Sequence, residues 1–191
     1  MKKAVLVLFL VLSTVVCVNA QSIGTVSAGI NAGVLIPTGD LGDFYKTSFG
    51  FGAEGTYKLS KELDIVANGI YNILTAKNTT WSDATVSITE GTAGVRYFFG
   101  SSQPKFFGEA AFGFYSTSVS YKYTTTISGV TTTTNYSASN SDAGINIGAG
   151  VTAPVSTSID FIGKLRYHNI FSSGSATNFI TLSAGLNYRF K

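Results

Sequence analysis

Every charged residue that an alternating pattern places inside a strand falls on one parity. The ten are Glu54, Lys58, Asp64, Glu90, Arg96, Glu109, Asp160, Lys164, Arg166 and Arg189. The last strand, Phe179 to Lys191, has the same division. Ile180, Leu182, Ala184, Leu186, Tyr188 and Phe190 form one row, and Thr181, Ser183, Gly185, Asn187 and Arg189 form the other. Successive strand side chains point to opposite faces, so each row is one surface of a sheet. A sheet with one apolar, aromatic-rich surface and one polar, charged surface suits a wall between lipid and a closed interior.

Eight strands fit this alternation: Thr25–Ile36, Ser48–Leu59, Leu63–Leu74, Val86–Phe99, a fifth opening at Phe106, Ala143–Ala153, Ile159–Ile170 and Phe179–Lys191. Three short turns, at Ser60, Gly100–Lys105 and Val155–Ser158, alternate with longer polar connections. The start of the fourth strand breaks the pattern. Val86 and Ile88 share the parity of Glu90, which suggests a bulge there. The connection 116–142 is rich in Thr, Ser and Tyr and reads as a hairpin that continues past the membrane, turning at Ser128-Gly129. The outward aromatics form two belts. Tyr57, Tyr97, Phe99, Phe106, Phe161, Tyr188 and Phe190 lie toward the turns, and Phe49, Phe51, Tyr71, Phe112 and Phe114 toward the loops. Such belts mark the two membrane interfaces.

Backbone amides facing hydrocarbon must be satisfied within the sheet, so a spanning sheet closes on itself. An Arg or Lys on the lipid face costs about 2–4 kcal/mol at the midplane. Turning the charged row outward would therefore cost on the order of 10 kcal/mol, comparable with a domain's whole stability. A water-soluble barrel alternates the other way, with its apolar row inside. The large aromatics of the apolar row, the belts and the loop asymmetry argue against that alternative.

Residues 1–20 have the pattern of an export signal: Lys2 and Lys3, an apolar run from Ala4 to Val18, and Val18-Asn19-Ala20 before Gln21. The run is shorter than the roughly 20 apolar residues a spanning helix needs. Residues 21–191 form the expected barrel domain. Cys17, the single cysteine, leaves with the signal, and this excludes disulfides, thiolate catalysis and cysteine-held metals from the mature chain. Of 13 basic residues two lie in the signal, leaving eleven against ten acidic ones. A balance this close to neutral argues against nucleic acid as a partner.

Five acids and five bases share the inward row, with His168 beside them. An eight-stranded barrel has an interior just wide enough for side chains to fill it, and buried charges persist there when paired and hydrogen-bonded. Hairpin register predicts Lys58 opposite Asp64 and Arg96 opposite Glu109. The expected lumen is a plug of ion pairs. His168 with Asp160 and the many serines invites a catalytic triad, but a charged lumen accounts for a lone histidine without further parts. Asp40 and Asp43 beside Gly39 and Gly42 could hold calcium, although carboxylates in such loops are more often solvated turn residues. No cofactor and no metal are expected. Tyr121, Tyr123 and Tyr136 make the 116–142 hairpin the candidate surface for an extracellular ligand.

The chain resembles the outer-membrane β-barrel superfamily that contains the OmpA transmembrane domain and the OmpX/Ail group. The resemblance rests on residues 33–40 (Gly33-Val34-Leu35-Ile36-Pro37-Thr38-Gly39-Asp40), 50–57 (Gly50 to Tyr57), 94–99 (Gly94-Val95-Arg96-Tyr97-Phe98-Phe99) and the ending Leu186-Asn187-Tyr188-Arg189-Phe190. It implies the outer membrane of a Gram-negative bacterium, contact with membrane lipid, and handling by the barrel-assembly machinery through the C-terminal strand. The expected role is structural or adhesion-like and without catalysis. A narrow porin for small solutes is the alternative, and a lipid-modifying enzyme a third reading.

Overall fold

The computed structural model describes residues 23–77, 85–100, 103–127, 130–172 and 177–190. The export segment expected at 1–20, the Ser128-Gly129 turn and Lys191 lie outside the described residues. The strands are β1 (Val26–Thr38), β2 (Tyr45–Lys58), β3 (Leu63–Ala76), β4 (Thr85–Phe99), β5 (Lys105–Ile127), β6 (Val130–Pro154), β7 (Ile159–Ile170) and β8 (Thr177–Arg189). Each pairs antiparallel with its sequence neighbours, and β8 returns to β1, so the sheet is a closed up-and-down barrel. Closure gives every strand two partners and leaves the spanning region without an edge.

The apolar row faces outward along all eight strands. Phe49, Phe99, Phe106, Phe112, Phe114 and Leu182 are each more than half exposed. Glu54, Glu90, Arg96, Glu109, Lys164, Arg166 and His168 are buried within. Two of the short turns are fixed locally by serine. Ser60 Oγ accepts the Glu62 and Leu63 amides at 3.2 and 3.1 Å. Ser156 Oγ accepts those of Ser158 and Ile159 at 3.3 and 3.1 Å. A serine hydroxyl that satisfies two otherwise free amides is a common way to close so tight a connection.

Three sequence expectations need correction. Val86 and Ile88 sit in unbroken register with Leu74 and Asn72 and with Val119 and Thr117, so β4 has no bulge at its start. They face inward because the loop-side end of the lumen is apolar, and the irregularity falls instead between Lys46 and Phe49 of β2. The first loop contains a short helix, α1 (Asp40–Phe44), with Asp40 and Asp43 in its first turn. Among the described residues no cluster of three or more metal-ligating side chains occurs. Lys58 does stand opposite Asp64 in register. The two side chains nevertheless form no ion pair, and Asp64 Oδ1 makes no hydrogen bond among the described residues. The 116–142 segment is the anticipated hairpin, paired from Tyr115–Asp142 up to Ile127–Val130.

Candidate functional site in the lumen

Alternate residues of β7 pass through the lumen one layer at a time. Asp160 lies at the turn-side mouth, Ile162 in an apolar lid, Lys164 in an ionic hub, Arg166 and His168 in a second polar layer, and Ile170 in the loop-side cap. A strand advances about 6.6 Å every two residues, so these layers succeed one another at side-chain spacing.

The mouth is a cavity of about 280 Å³ bordered by Lys58, Asp64, Lys105, Asp160 and Arg189, among others. Arg189 Nε lies 3.1 Å from Asp160 Oδ2, and Arg189 Nη2 donates to the Thr157 carbonyl at 3.1 Å. Phe98, Phe107 and Ile162 cover the inner end, with the two rings 5.6 Å apart, edge to face. The Arg96 guanidinium lies 4.5 Å above the Phe107 ring centre and joins this lid to the next layer.

Glu54 is the centre of the hub. Its carboxylate accepts both terminal nitrogens of Arg96 at 3.1 and 2.7 Å, Lys164 Nζ at 2.5 Å and Asn187 Nδ2 at 2.8 Å. Arg96 also donates through Nε and Nη2 to Glu109 Oε2 at 2.9 and 2.6 Å. Lys164 adds a bond to Asn68 Oδ1 at 3.2 Å. β2, β3, β4, β5, β7 and β8 are thus tied together across the interior. Two carboxylates meet two cations, the balance that makes such burial tolerable. Register predicts the Arg96–Glu109 contact. The convergence on Glu54 it does not predict, because those partners lie across the barrel rather than on a neighbouring strand.

In the layer above, Glu90 Oε1 accepts Arg166 Nη2 at 3.1 Å, and Glu90 Oε2 lies 3.2 Å from His168 Nδ1. His168 Nε2 is 3.0 Å from Thr181 Oγ1. Tyr115 Oη lies 3.1 Å from His168 Nδ1 and accepts Asn146 Nδ2 at 3.1 Å. Phe179 stacks on the imidazole at 4.4 Å with the planes 13° apart. Glu90, His168 and Thr181 have the order of a carboxylate–imidazole–hydroxyl triad. Asp160, the partner considered from sequence, lies about 26 Å further down the strand, eight residues away. The space beside Thr181 and Ser183 is only about 10 Å³. That is room for one water at most, and no acyl group fits it.

A cap of Leu35, Leu74, Val86, Ile88, Tyr115, Ile170 and Phe179 closes the loop-side end, with Leu41 of α1, Tyr45 and Val119 packed against it. The apolar layers escape a reading that treats the inward row as uniformly polar. Their signal was present in the sequence: Val86, Ile88, Phe98, Phe107, Ile162 and Ile170 all lie on the charged parity, at strand ends. Of the surface candidates, the rings of Tyr121 and Tyr136 pair across the hairpin at 4.9 Å, and Tyr123 stands opposite Thr134.

The profile of a family described as "Outer membrane protein beta-barrel domain" matches residues 7–190. Among solved structures, Neisserial surface protein A is similar at 17% identity and a TM-score of 0.64, covering 86% of this chain and 97% of that one. Ail, the attachment invasion locus protein of Yersinia pestis, is similar at 16% identity and a TM-score of 0.51, covering 87% and 97%. Ail in complex with the heparin analogue sucrose octasulfate is similar at 17% identity and a TM-score of 0.50, with the same coverage. Among curated protein sequences none matches.

Proposed function

Because the chain belongs to the outer membrane protein β-barrel family and lies in the outer membrane, we propose that it is a plugged structural barrel that displays a hairpin for surface contacts. The observation that carries the plug is the succession of lid, hub, second polar layer and cap across one narrow lumen. A solute would have to displace two apolar layers and two ionic ones in turn. Single-channel recording of the reconstituted chain should give no steady open level. A stable, large conductance would favour the porin reading and overturn the plug.

The hairpin supports the adhesion-like half of the proposal. From Tyr115 to Ile127 it reaches roughly 40 Å along the strand. β6 pairs with β7 only from Gly144 onward, and from Asn135 to Asp142 no described strand flanks it on that side. An open strand edge is a template for an added strand. Its Tyr121–Tyr136 ring pair adds apolar area with polar tips. The segment 116–142 carries one cation, Lys122, and one acid, Asp142. Such a surface favours an uncharged or weakly charged partner over a polyanion like the one bound to Ail. Deleting Val119 to Tyr136 should leave heat-modifiable gel mobility intact and abolish binding of the protein to host cells or matrix. Binding that survives the deletion would remove the hairpin from the account.

A further inference from the structure

The turn-side rim bears three cations that form no ion pair among the described residues. Lys58 ends β2, Lys61 lies in the β2–β3 turn and Lys105 opens β5. Together with Glu62, Tyr97, Phe98 and Gly100 they border a groove of about 470 Å³. Arg96, Lys164, Arg166 and Arg189 each pair with a carboxylate. Among the described residues Lys58, Lys61 and Lys105 do not, and Lys105 Nζ only approaches the Phe98 ring, at 6.0 Å from its centre. Glu62 lines the groove, with the Ser60 hydroxyl donating to its Oε2 at 3.5 Å, and Asp64 borders the adjoining mouth together with Lys58 and Lys105. The Phe98 amide donates to the Glu62 carbonyl at 2.8 Å, which docks the β2–β3 turn against β4 and brings Lys61 to the same groove as Lys105.

The groove opens at the membrane surface. Tyr97, Phe99 and Phe106, each at least half exposed, stand outward beside it in the turn-side belt, and such rings sit at headgroup depth. The positive charge is also one-sided. The β6–β7 turn, Val155–Ser158, is uncharged, and the nearby Arg189 is paired to Asp160. Ammonium groups at the rim, level with the outward rings of the turn-side belt, match a phosphodiester anion joined to acyl chains. We propose that this groove binds the headgroup of an anionic phospholipid in the turn-side leaflet. Lys61 and Lys105 would donate to the phosphate oxygens while the chains lie over Tyr97, Phe99 and Phe106.

The test uses the full chain in nanodiscs of phosphatidylcholine containing a minor fraction of phosphatidylglycerol. Retained lipids are read by native mass spectrometry after detergent release. The unaltered protein should retain phosphatidylglycerol selectively. Lys61→Gln with Lys105→Gln should reduce that preference roughly 25-fold, about fivefold per lysine. Lys46→Gln with Lys77→Gln, on the loop side, should leave it unchanged. Glycerol phosphate added in excess should not displace the lipid. Equal retention of both lipids, an unchanged preference in the Lys61/Lys105 variant, or displacement by free phosphate would each overturn the proposal. Heat-modifiable mobility reports folding, and if the double variant fails to fold, each single variant should still show its fivefold loss.

Discussion

Replacing Glu54 with alanine should destabilise the barrel by about 3–5 kcal/mol, the range for removing one partner of a buried charge cluster. The loss is not that of one ion pair. Arg96, Lys164 and Asn187 all donate to this carboxylate, so truncation leaves the buried Lys164 with no carboxylate, Arg96 with Glu109 alone, and the Asn187 amide without this acceptor. Equilibrium urea unfolding in lipid vesicles gives the number directly. Glu54→Ala combined with Lys164→Met should cost less than the two single changes added together, because residues sharing one network couple. Strict additivity, or a loss below about 1 kcal/mol, would mean that the hub carries little of the fold's stability.

A comparable loss is expected from a single methyl group at Gly94. A Cβ built there would lie 2.0 Å from the Ala110 carbonyl oxygen and 2.5 Å from Ala111 Cα, both backbone atoms of the adjoining strand. Backbone cannot rotate aside as a side chain can, so β4 and β5 would have to part where Arg96 and Glu109 meet. Gly94→Ala should therefore cost about 3 kcal/mol, the upper end for overpacking a dense interior. Gly91→Ala is the control. It lies three residues away on the outer face, where a Cβ meets nothing within 4 Å, and it should stay within about 0.5 kcal/mol. Similar midpoints for the two variants would show that the barrel relaxes freely around the added methyl.

These two residues mark how far the sequence is legible. The alternation assigns Glu54 and Gly94 to the interior, because a charge on the lipid face is too costly and parity does the rest. It also pairs Arg96 with Glu109, since a short turn fixes hairpin register. Which cations reach Glu54 is a different kind of fact. It depends on barrel radius and on the stagger between strands far apart in the chain, and Lys164 and Asn187 are 110 and 133 residues away. The Lys58–Asp64 expectation fails for a related reason. Register brings the two backbones together, but both side chains border the open mouth, and neither is held against the other. The apolar lid and cap depart from a polar row at its ends, and Val86 and Ile88 carry that departure in the sequence.

The β1–β8 seam has a consequence for how the molecule is made. Seven of the eight pairings join strands adjacent in the chain, while this one joins Ser27 to Arg189 and Thr38 to Asn178, at opposite ends of the polypeptide. Until β8 is in place, a sheet built from the other seven strands is a curved ribbon with two bare borders. Whatever escorts the nascent chain has to shield both borders and release them together, and a product truncated before Thr177 would have no means of shutting.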